Sequence, residues 1–441
     1  MNLKKLALGA LAAAVVATPM ALSTPASAYE YTIPGLVYRT GPYAPNGIPF
    51  ANGYADYFKL LNERDGGIGG VKLNVVECET GYNTKVGVEC YENLKNEGDS
   101  GAMVFSPLST GITYALIPKA TEDEIPIFSM GYGRTSAADG TVFPWVFNFP
   151  TTYWSQATAF VKYVGAQEGG MENLKGKKIA LVYHNSAYGK EPIKTLEVLA
   201  ADLGFELMLL PVDHPGQEQK ATWLQVRRAK PDWIFMWGWG VMNQVAIKEA
   251  ASIKYPMDHF IGVWWSGSEN DVLPAGDGAN GYLAGTFHSP SNSLPVHDQI
   301  RDMLYANGNG AGEVDRVGEV LYNRGMLNAM FIAEGIKNAQ AIHGTTELRG
   351  KHLRDGLEAM DITEARLAEL GMGGFTPEVK VTCADHEGGG PVRIQQWNAA
   401  DQKWEWASDW ITPMSDVVRE LVMADSAAYA AENNITPVDC N

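Results

Sequence analysis

Three short patterns in the sequence approach catalytic motifs, and each of them is incomplete. A serine hydrolase elbow requires G-x-S-x-G, but Ser266-Gly267-Ser268 has no glycine two places before either serine. Gly131-Tyr132-Gly133 begins like a dinucleotide fingerprint, yet Ser136 occupies the position of the third glycine. His386-Glu387 begins the zinc motif H-E-x-x-H, but Gly390 stands where the second histidine is required. These patterns favour a binding protein over an enzyme, with no cofactor and no metal.

The elements that would position a binding site follow a repeated pattern of short apolar segments and longer amphipathic ones. The first set predicts strands at 33–37, 73–77, 102–105 and 125–129, with helices at 47–64, 86–95 and 111–121. The second set predicts strands at 178–183, 206–211, 233–236 and 260–264, with helices at 188–203, 217–229 and 242–253. Because apolar strands joined by helices form parallel sheets covered on both faces, we expect an α/β fold of two doubly wound, Rossmann-like lobes.

The chain is expected to cross between these lobes several times. We assign 29–149 to the first part of lobe 1 and 150–288 to lobe 2. Long helical patterns at 313–339 and 347–360 place 289–372 back in lobe 1. Residues 373–441 then return to lobe 2 and the hinge as a hairpin, at 391–397 and 403–406, and a C-terminal tail. The hinge is therefore predicted to consist of several crossovers.

Composition excludes one large class of partner. The chain has 441 residues, with 34 Lys and Arg against 51 Asp and Glu, and a net charge of −17. An acidic surface repels the phosphate backbone, so we expect no nucleic-acid partner.

The first 28 residues have the features of a secretory signal peptide. Lys4 and Lys5 precede an apolar stretch at 6–16, and Ala26-Ser27-Ala28 supplies small residues for cleavage before Tyr29. Thr18-Pro19 interrupts the apolar stretch before it reaches the ~20 residues that span a bilayer. No cysteine lies at the cleavage point, so we expect an exported, soluble protein rather than a lipoprotein.

An oxidising compartment would allow the four cysteines to pair. We expect Cys78 with Cys90 and Cys383 with Cys440, although four cysteines allow three connectivities and the other two stay open. The close C-x-x-C pairs typical of a zinc site are absent from the sequence.

Several segments, in their order and separation, point to one known family. They are Thr40-Gly41-Pro42-Tyr43, Asn62-Glu63, Gly66-Gly67-Ile68-Gly69-Gly70, Ser109-Thr110-Gly111, Ile125-Pro126-Ile127-Phe128-Ser129 with Gly131, Ala187-Tyr188-Gly189, Pro231-Asp232 and Trp237-Gly238-Trp239. Over residues 30 to 410 the chain resembles the type I periplasmic solute-binding proteins of branched-chain amino acid ABC uptake systems, the leucine/isoleucine/valine-binding proteins. The resemblance implies a periplasmic clamshell that captures a small molecule for ABC permease subunits in the inner membrane. It also implies a monomer without enzymatic activity.

The resemblance further implies which residues contact the ligand. Ser109 or Thr110, at the start of the third helix, would bind a carboxylate, since hydroxyl and N–H groups gather there and the helix dipole favours an anion. Capping of the helix is the alternative role for these residues. Tyr132, Gly133 and Arg134 would hold the ligand's polar groups from the loop after the fourth strand, and Arg134 as a surface cation is the alternative.

Aromatic residues are expected to form the rest of the cleft. By the resemblance, Tyr188 and Trp239 form walls of the cleft. Trp264 or Trp265 falls close to the position where amino acid binders have an acidic residue for the α-ammonium, so the sequence departs from them there. Tyr43 belongs to the same aromatic group around the cleft. Because an indole cannot pair with an ammonium by charge, we predict an aromatic or hydrophobic carboxylate as the ligand. Amino acids, amides, a sensory role in the same fold and an exported hydrolase with a site assembled by folding are the alternatives.

Overall fold

The computed structural model describes residues 29–440, so the predicted signal peptide lies outside the described residues. The strands are β1 (Glu30–Val37), β2 (Lys72–Glu79), β3 (Ile127–Phe128), β4 (Val146–Phe147), β5 (Lys178–His184), β6 (Glu206–Val212), β7 (Trp233–Trp237), β8 (Phe260–Gly262), β9 (Leu283–Thr286), β10 (Asp361–Ile362), β11 (Val379–Lys380), β12 (Arg393–Asn398) and β13 (Lys403–Trp406). The α-helices are α1 (Ala44–Asp65), α2 (Thr84–Leu94), α3 (Thr110–Asp123), α4 (Tyr153–Gln167), α5 (Ala187–Lys190), α6 (Ile193–Leu203), α7 (Lys220–Ala229), α8 (Val241–Ser252), α9 (Glu269–Val272), α10 (Pro295–Met303), α11 (Val320–His343), α12 (Gly350–Glu358), α13 (Glu364–Glu369) and α14 (Ser415–Asn433).

The first lobe contains parallel strand pairs. β1 pairs with β2, and β3 pairs with β4. Segment 102–106 links the two pairs through isolated parallel bridges, Thr32 to Ala102 on one side and Phe105 to Ile127 on the other. The strand predicted at 102–105 is therefore present only as isolated bridges.

The second lobe contains a seven-stranded sheet in the order β13-β12-β9-β8-β7-β5-β6. Strands β5 to β9 run parallel, and β12 pairs antiparallel with both β9 and β13. In β7, Phe235 and Trp237 pack against Phe160 of α4, whereas Ile234 and Met236 belong to the core on the other face. Each face of the sheet is covered by helices, which confirms the predicted doubly wound α/β fold. The predicted hairpin is confirmed as the edge of this sheet.

Helices α1 and α11 pack closely because glycines allow their backbones to meet. A Cβ on Gly53 would lie 2.0 Å from the carbonyl oxygen of Tyr322, and a Cβ on Gly325 would lie 1.9 Å from that of Phe50. The segment 289–372 thus returns to the helix that follows β1. The lobe boundaries at 149, 288 and 372 stay predictions.

Among the predicted elements that differ in their bounds, three do so for a local reason that the structure shows. The helix predicted at 188–203 is divided into α5 and α6, since Pro192 lies at the break and lacks the N–H that would continue a helix. The strand predicted at 260–264 ends at Gly262, before a 3₁₀ turn at Trp264–Ser266. The helix predicted from 313 begins at Val320, because Gly318 has a left-handed φ of 97°.

The predicted disulfide pairing is confirmed. Cys78 bonds to Cys90 and Cys383 bonds to Cys440. The second bond joins the end of the chain to the segment between β11 and β12. Among residues 29–440, no helix combines the length and apolar character needed to cross a membrane.

Candidate functional site

A narrow cavity lies between the lobes, at the carboxyl ends of the parallel strands. Open α/β sheets bind their ligands at this end of the strands. The lobe that contains β1 contributes Tyr82, Leu108, Ser109, Thr110 and Tyr132. The other lobe contributes Tyr153, Tyr188, Trp239 and Trp265.

The N-terminus of α3 supplies the polar end of the cavity. Ser109 is the N-cap, and its hydroxyl accepts a hydrogen bond from the N–H of Ile112 at 3.4 Å. The hydroxyl of Thr110 is buried and has no hydrogen-bond partner within residues 29–440. The N–H groups of Thr110 and Gly111 also make no hydrogen bond in this part of the chain. The helix tip therefore presents unpaired donors where its dipole is positive.

Aromatic rings form the rest of the lining. Tyr132 is held in place by its hydroxyl, which accepts from the N–H of Leu108 at 2.8 Å. The hydroxyl of Tyr188 donates to the carbonyl of Gly238 at 2.8 Å. The rings of Trp239 and Trp265 meet edge to face at 4.8 Å, a favourable aromatic geometry.

The cavity lining contains no Asp, Glu, Lys, Arg or His. Burial raises the pKa of the Tyr82, Tyr132 and Tyr188 phenols above the ordinary value, so these rings are neutral at pH 7. The indole N–H of Trp239 is buried without a partner among the described residues. The site thus offers hydrogen-bond donors and ring faces, but no formal charge.

A buried carboxylate, Glu191, lies just outside the lining. It accepts hydrogen bonds from the hydroxyls of Tyr114 and Thr135, the second at 2.7 Å. These hydrogen bonds join the two lobes. Burial raises the pKa of Glu191. A Cβ on Gly133 would lie 2.3 Å from Glu191 Oε1, so the glycine leaves room for this carboxylate.

Five of the predicted ligand-contact residues line the cavity: Ser109, Thr110, Tyr132, Tyr188 and Trp239. Their contact with a ligand stays a prediction. Both roles considered for Ser109 and Thr110 are compatible with the structure, since Ser109 caps α3 and Thr110 has its hydroxyl free.

Four other predicted residues lie outside the lining. Gly133 backs onto Glu191, and Arg134 forms an ion pair with Asp425 of α14. Trp264 packs against the guanidinium of Arg324, 4.9 Å from its ring, while its neighbour Trp265 lines the cavity.

Tyr43, the fourth of these residues, contacts the opposite lobe. Its hydroxyl lies 2.8 Å from a ring nitrogen of His184 and 2.8 Å from one of His214. The ring of Tyr43 also packs on Tyr82 at 4.4 Å, directly behind the cavity lining.

Three lining residues were not predicted from the sequence. Tyr82 and Leu108 have left-handed backbone conformations, with φ of 61° and 52°, which few non-glycine residues adopt. Tyr153 begins α4, a helix that is buried nearly throughout its first two turns. An aromatic residue next to the N-cap Thr152 was the one available signal for Tyr153.

Residues 29–440 contain no group of three or more His, Cys, Asp or Glu side chains that could hold a metal ion.

The fold and the enclosed cavity together define a two-lobed solute-binding protein. The periplasmic binding protein family matches residues 30–403, and the chain belongs to this family. The predicted type I fold and the role of a solute-binding component are confirmed at the level of the family. No curated protein matches the chain significantly.

Solved structures with the same fold include one of substantial sequence identity. A protein from the Pseudomonas fluorescens group, described as an ABC transporter permease, is 42% identical, with a TM-score of 0.86 over 93% of this chain and 99% of that chain. A branched-chain amino acid ABC transporter protein from Thermus thermophilus with bound valine is 22% identical, with a TM-score of 0.74 over 89% and 99%. An R. palustris solute-binding protein in complex with benzoate is 17% identical, with a TM-score of 0.65 over 87% and 97%.

Proposed function

We propose that this protein captures a small aromatic or hydrophobic carboxylate by closing its two lobes around it, and delivers it to an ABC permease in the inner membrane. The observation that carries the proposal is a cavity lined by six aromatic rings and the free donors of one helix tip, without a charged side chain.

The polar end of the cavity supports a ligand carboxylate. The Thr110 hydroxyl and the N–H groups at the start of α3 are donors without partners. Donors at a helix N-terminus stabilise an anion through hydrogen bonds and through the helix dipole. A carboxylate placed there would satisfy groups that are otherwise buried and unpaired.

The opposite end of the cavity argues against an α-amino acid. An α-ammonium group needs a carboxylate or several acceptors, and the lining supplies neither. Glu191 is the nearby acid, but its two oxygens already accept from Tyr114 and Thr135. The ring faces of Trp239 and Trp265 instead favour a flat or apolar group.

Reversible capture follows from the placement of the lining. Residues from both lobes line the cavity, so separation of the lobes would open it to a ligand. A ligand that contacts both lobes stabilises the closed form by its differential affinity, and neither nucleotide nor covalent chemistry is required. We infer that the protein acts as a monomer, is exported to the periplasm in soluble form, and has no catalytic role.

A binding screen tests the proposal. The protein is unfolded and refolded to remove retained ligand, and is then titrated calorimetrically with benzoate, phenylacetate, phenylacetamide, valine and leucine. We expect the carboxylates to bind, and to bind at least tenfold more tightly than the amide or the amino acids. Binding of valine or leucine without binding of any aromatic acid would reject the proposed ligand class and favour the amino acid alternative.

A further inference from the structure

Two histidines of one lobe meet a tyrosine of the other beside the cavity. The Tyr43 hydroxyl lies 2.8 Å from His184 Nε2 and 2.8 Å from His214 Nδ1. His184 ends β5 and His214 follows β6, whereas Tyr43 is the N-cap of α1. The two imidazole rings are 3.8 Å apart between centroids. We call Tyr43, His184 and His214 the interlobe cluster.

Tyr43 and His184 of the interlobe cluster are buried, whereas His214 is exposed to solvent at its edge. His184 is fully buried, and its other ring nitrogen, Nδ1, lies 2.7 Å from the Ser186 hydroxyl. Gly240 lies in the same lobe as His184, and a Cβ at this position would be 2.6 Å from Tyr43 Cδ1. Only a glycine there lets the ring of Tyr43 come this close to the backbone of the opposite lobe. Tyr43 also packs on Tyr82, which lines the cavity. Contact at the cluster is therefore coupled to the shape of the ligand site.

The hydrogen bonds of the interlobe cluster suit two neutral imidazoles. The Tyr43 hydroxyl can donate its one proton to one ring nitrogen and accept from the N–H of the other. With both rings protonated, the hydroxyl would face two N–H donors, and two positive charges would lie 3.8 Å apart between ring centroids. Double protonation thus removes one hydrogen bond, adds repulsion between the rings and leaves a positive charge on the buried His184.

Few charged groups surround the interlobe cluster to offset that repulsion. Asp213 is next to His214 and raises its pKa, but burial outweighs this effect and the pKa of His214 is lowered. Asp213 is itself hydrogen-bonded to Asn185. The remaining titratable neighbours are the phenols of Tyr43, Tyr82 and Tyr188, whose pKa values are raised by burial, so they stay neutral.

We propose that Tyr43, His184 and His214 form a pH-sensitive latch, which holds the lobes closed while both imidazoles are neutral and releases them, with the ligand, when the imidazoles are protonated. This inference rests on the proposed capture by lobe closure. The pH of the periplasm follows that of the surrounding medium, so such a latch would make retention of the ligand depend on external acidity.

The direction of the pH effect on lobe closure follows from the difference in the pKa of His184 between the closed and the open form. Burial and the neighbouring His214 lower the pKa of His184 to about 3 in the closed form, whereas separated lobes return it toward the ordinary value of 6.5. The contribution of His184 to closure is therefore complete above pH 6.5 and is lost as the pH falls below it. For His184 alone, the equilibrium constant for lobe closure at pH 5.5 should be about tenfold smaller than at pH 7.5, so the ligand affinity falls by up to about tenfold.

Glu191, the buried carboxylate between the lobes, acts in the opposite direction. Its pKa is raised in the closed form, so protonation of Glu191 favours closure. This contribution reduces the acid-induced loss of affinity and cannot produce it. Glu269 also favours closure on protonation, because burial raises its pKa to about 7 where it accepts from the N–H of Val320. His288 contacts Arg324 of α11 and has a pKa lowered to about 3, so it acts in the same direction as the interlobe cluster, and a variant of the cluster is needed to separate the two effects.

The test compares benzoate affinity by calorimetry at pH 7.5 and pH 5.5 in the wild type, in a His184→Gln/His214→Asn double variant, and in a His259→Gln control. The substituted amides keep a polar atom near the original bonding nitrogens but cannot be protonated. His259 stacks on Trp233 on the far side of its lobe. Between pH 7.5 and pH 5.5, we expect the wild type and the control to lose up to about tenfold more affinity than the double variant does. The same pH dependence of affinity in the wild type and the double variant would overturn the latch.

A second measurement separates failure of the latch from failure of the proposed ligand. Small-angle X-ray scattering of the ligand-free wild type should show a larger radius of gyration at pH 5.5 than at pH 7.5, and the double variant should not. If benzoate fails to bind at either pH, the proposed ligand class is at fault, and scattering decides the latch by itself. A wild-type radius of gyration that is the same at both pH values would then overturn it.

Discussion

At the scale of single residues, Thr110 has a feature that Ser109 lacks. The Ser109 hydroxyl is occupied by the cap of α3, whereas the buried Thr110 hydroxyl has no partner within residues 29–440. A buried hydroxyl without a hydrogen bond is costly, and a ligand oxygen would remove that cost. Thr110 is therefore the side chain through which binding of a carboxylate is tested most simply.

We predict that Thr110→Val weakens benzoate binding about tenfold to a hundredfold, the loss of one hydrogen bond to a charged group. Valine preserves the shape of threonine, so the helix and the cavity are kept. Thr121→Val, near the other end of α3, is the control and should bind as the wild type does. Calorimetry measures both, and equal affinity of Thr110→Val and wild type would exclude this hydroxyl from the site.

Some residues of this site could be predicted from the sequence and others could not, and the reasons are physical. Ser109 and Thr110 could be predicted, because the resemblance to the family places a hydroxyl residue that binds the ligand at the start of the third helix. Tyr82 and Leu108 could not, because their side chains reach the cavity from left-handed backbone that no side-chain pattern encodes. The choice between Trp264 and Trp265 depended on a single 3₁₀ turn, which directs one indole to Arg324 and the other to the cavity.

At the scale of elements, the contact between α1 and α11 depends on the absence of two side chains. We predict that Gly325→Ala lowers the free energy of unfolding by about 3 kcal/mol or more, because its Cβ would meet the Phe50 carbonyl at 1.9 Å. Gly373→Ala is the matched control, since the closest atom to its Cβ would be 3.4 Å away. Urea denaturation compares the two, and similar stability of both variants would contradict the packing described.

The disulfide Cys78–Cys90 joins β2 to α2 and is expected to stabilise this part of the first lobe. Cys78 and Cys90 are separated by 12 residues, and the chain-entropy account gives such a bond about 3 kcal/mol. We predict that the Cys78→Ala/Cys90→Ala variant loses about that much stability in urea. A reducing agent should then destabilise this variant further only through Cys383–Cys440. Undiminished stability of the double variant would mean that the bond constrains the unfolded chain little.

Elements were predictable where their sequence is periodic or alternates with turns. Nearly all strands of the βαβ units were identified, whereas α4 and α14 were not. Helix α4 is buried from Tyr153 to Val161, so it lacks the polar face that marks an amphipathic helix. Helix α14 has few buried positions, and it is fixed by contacts distant in sequence, such as Ser426 with Asp139. Such contacts follow from the folded chain and from no local pattern.

At the scale of the whole molecule, the position of the cavity and the contacts around it both link ligand binding to closure of the lobes. The chain crosses between two α/β lobes, and the cavity is completed only by residues from both. Contacts that cross the interface surround that cavity, with the interlobe cluster on one side and Glu191 on another. Ligand capture and lobe closure are therefore expected to be a single equilibrium.

The most direct test of this account is native mass spectrometry of the protein purified from its host, with the released molecule identified after unfolding. We predict one ligand per chain, a carboxylic acid with an aromatic or apolar body and no α-amino group. Release of valine, leucine or another α-amino acid from the folded protein would contradict the central claim.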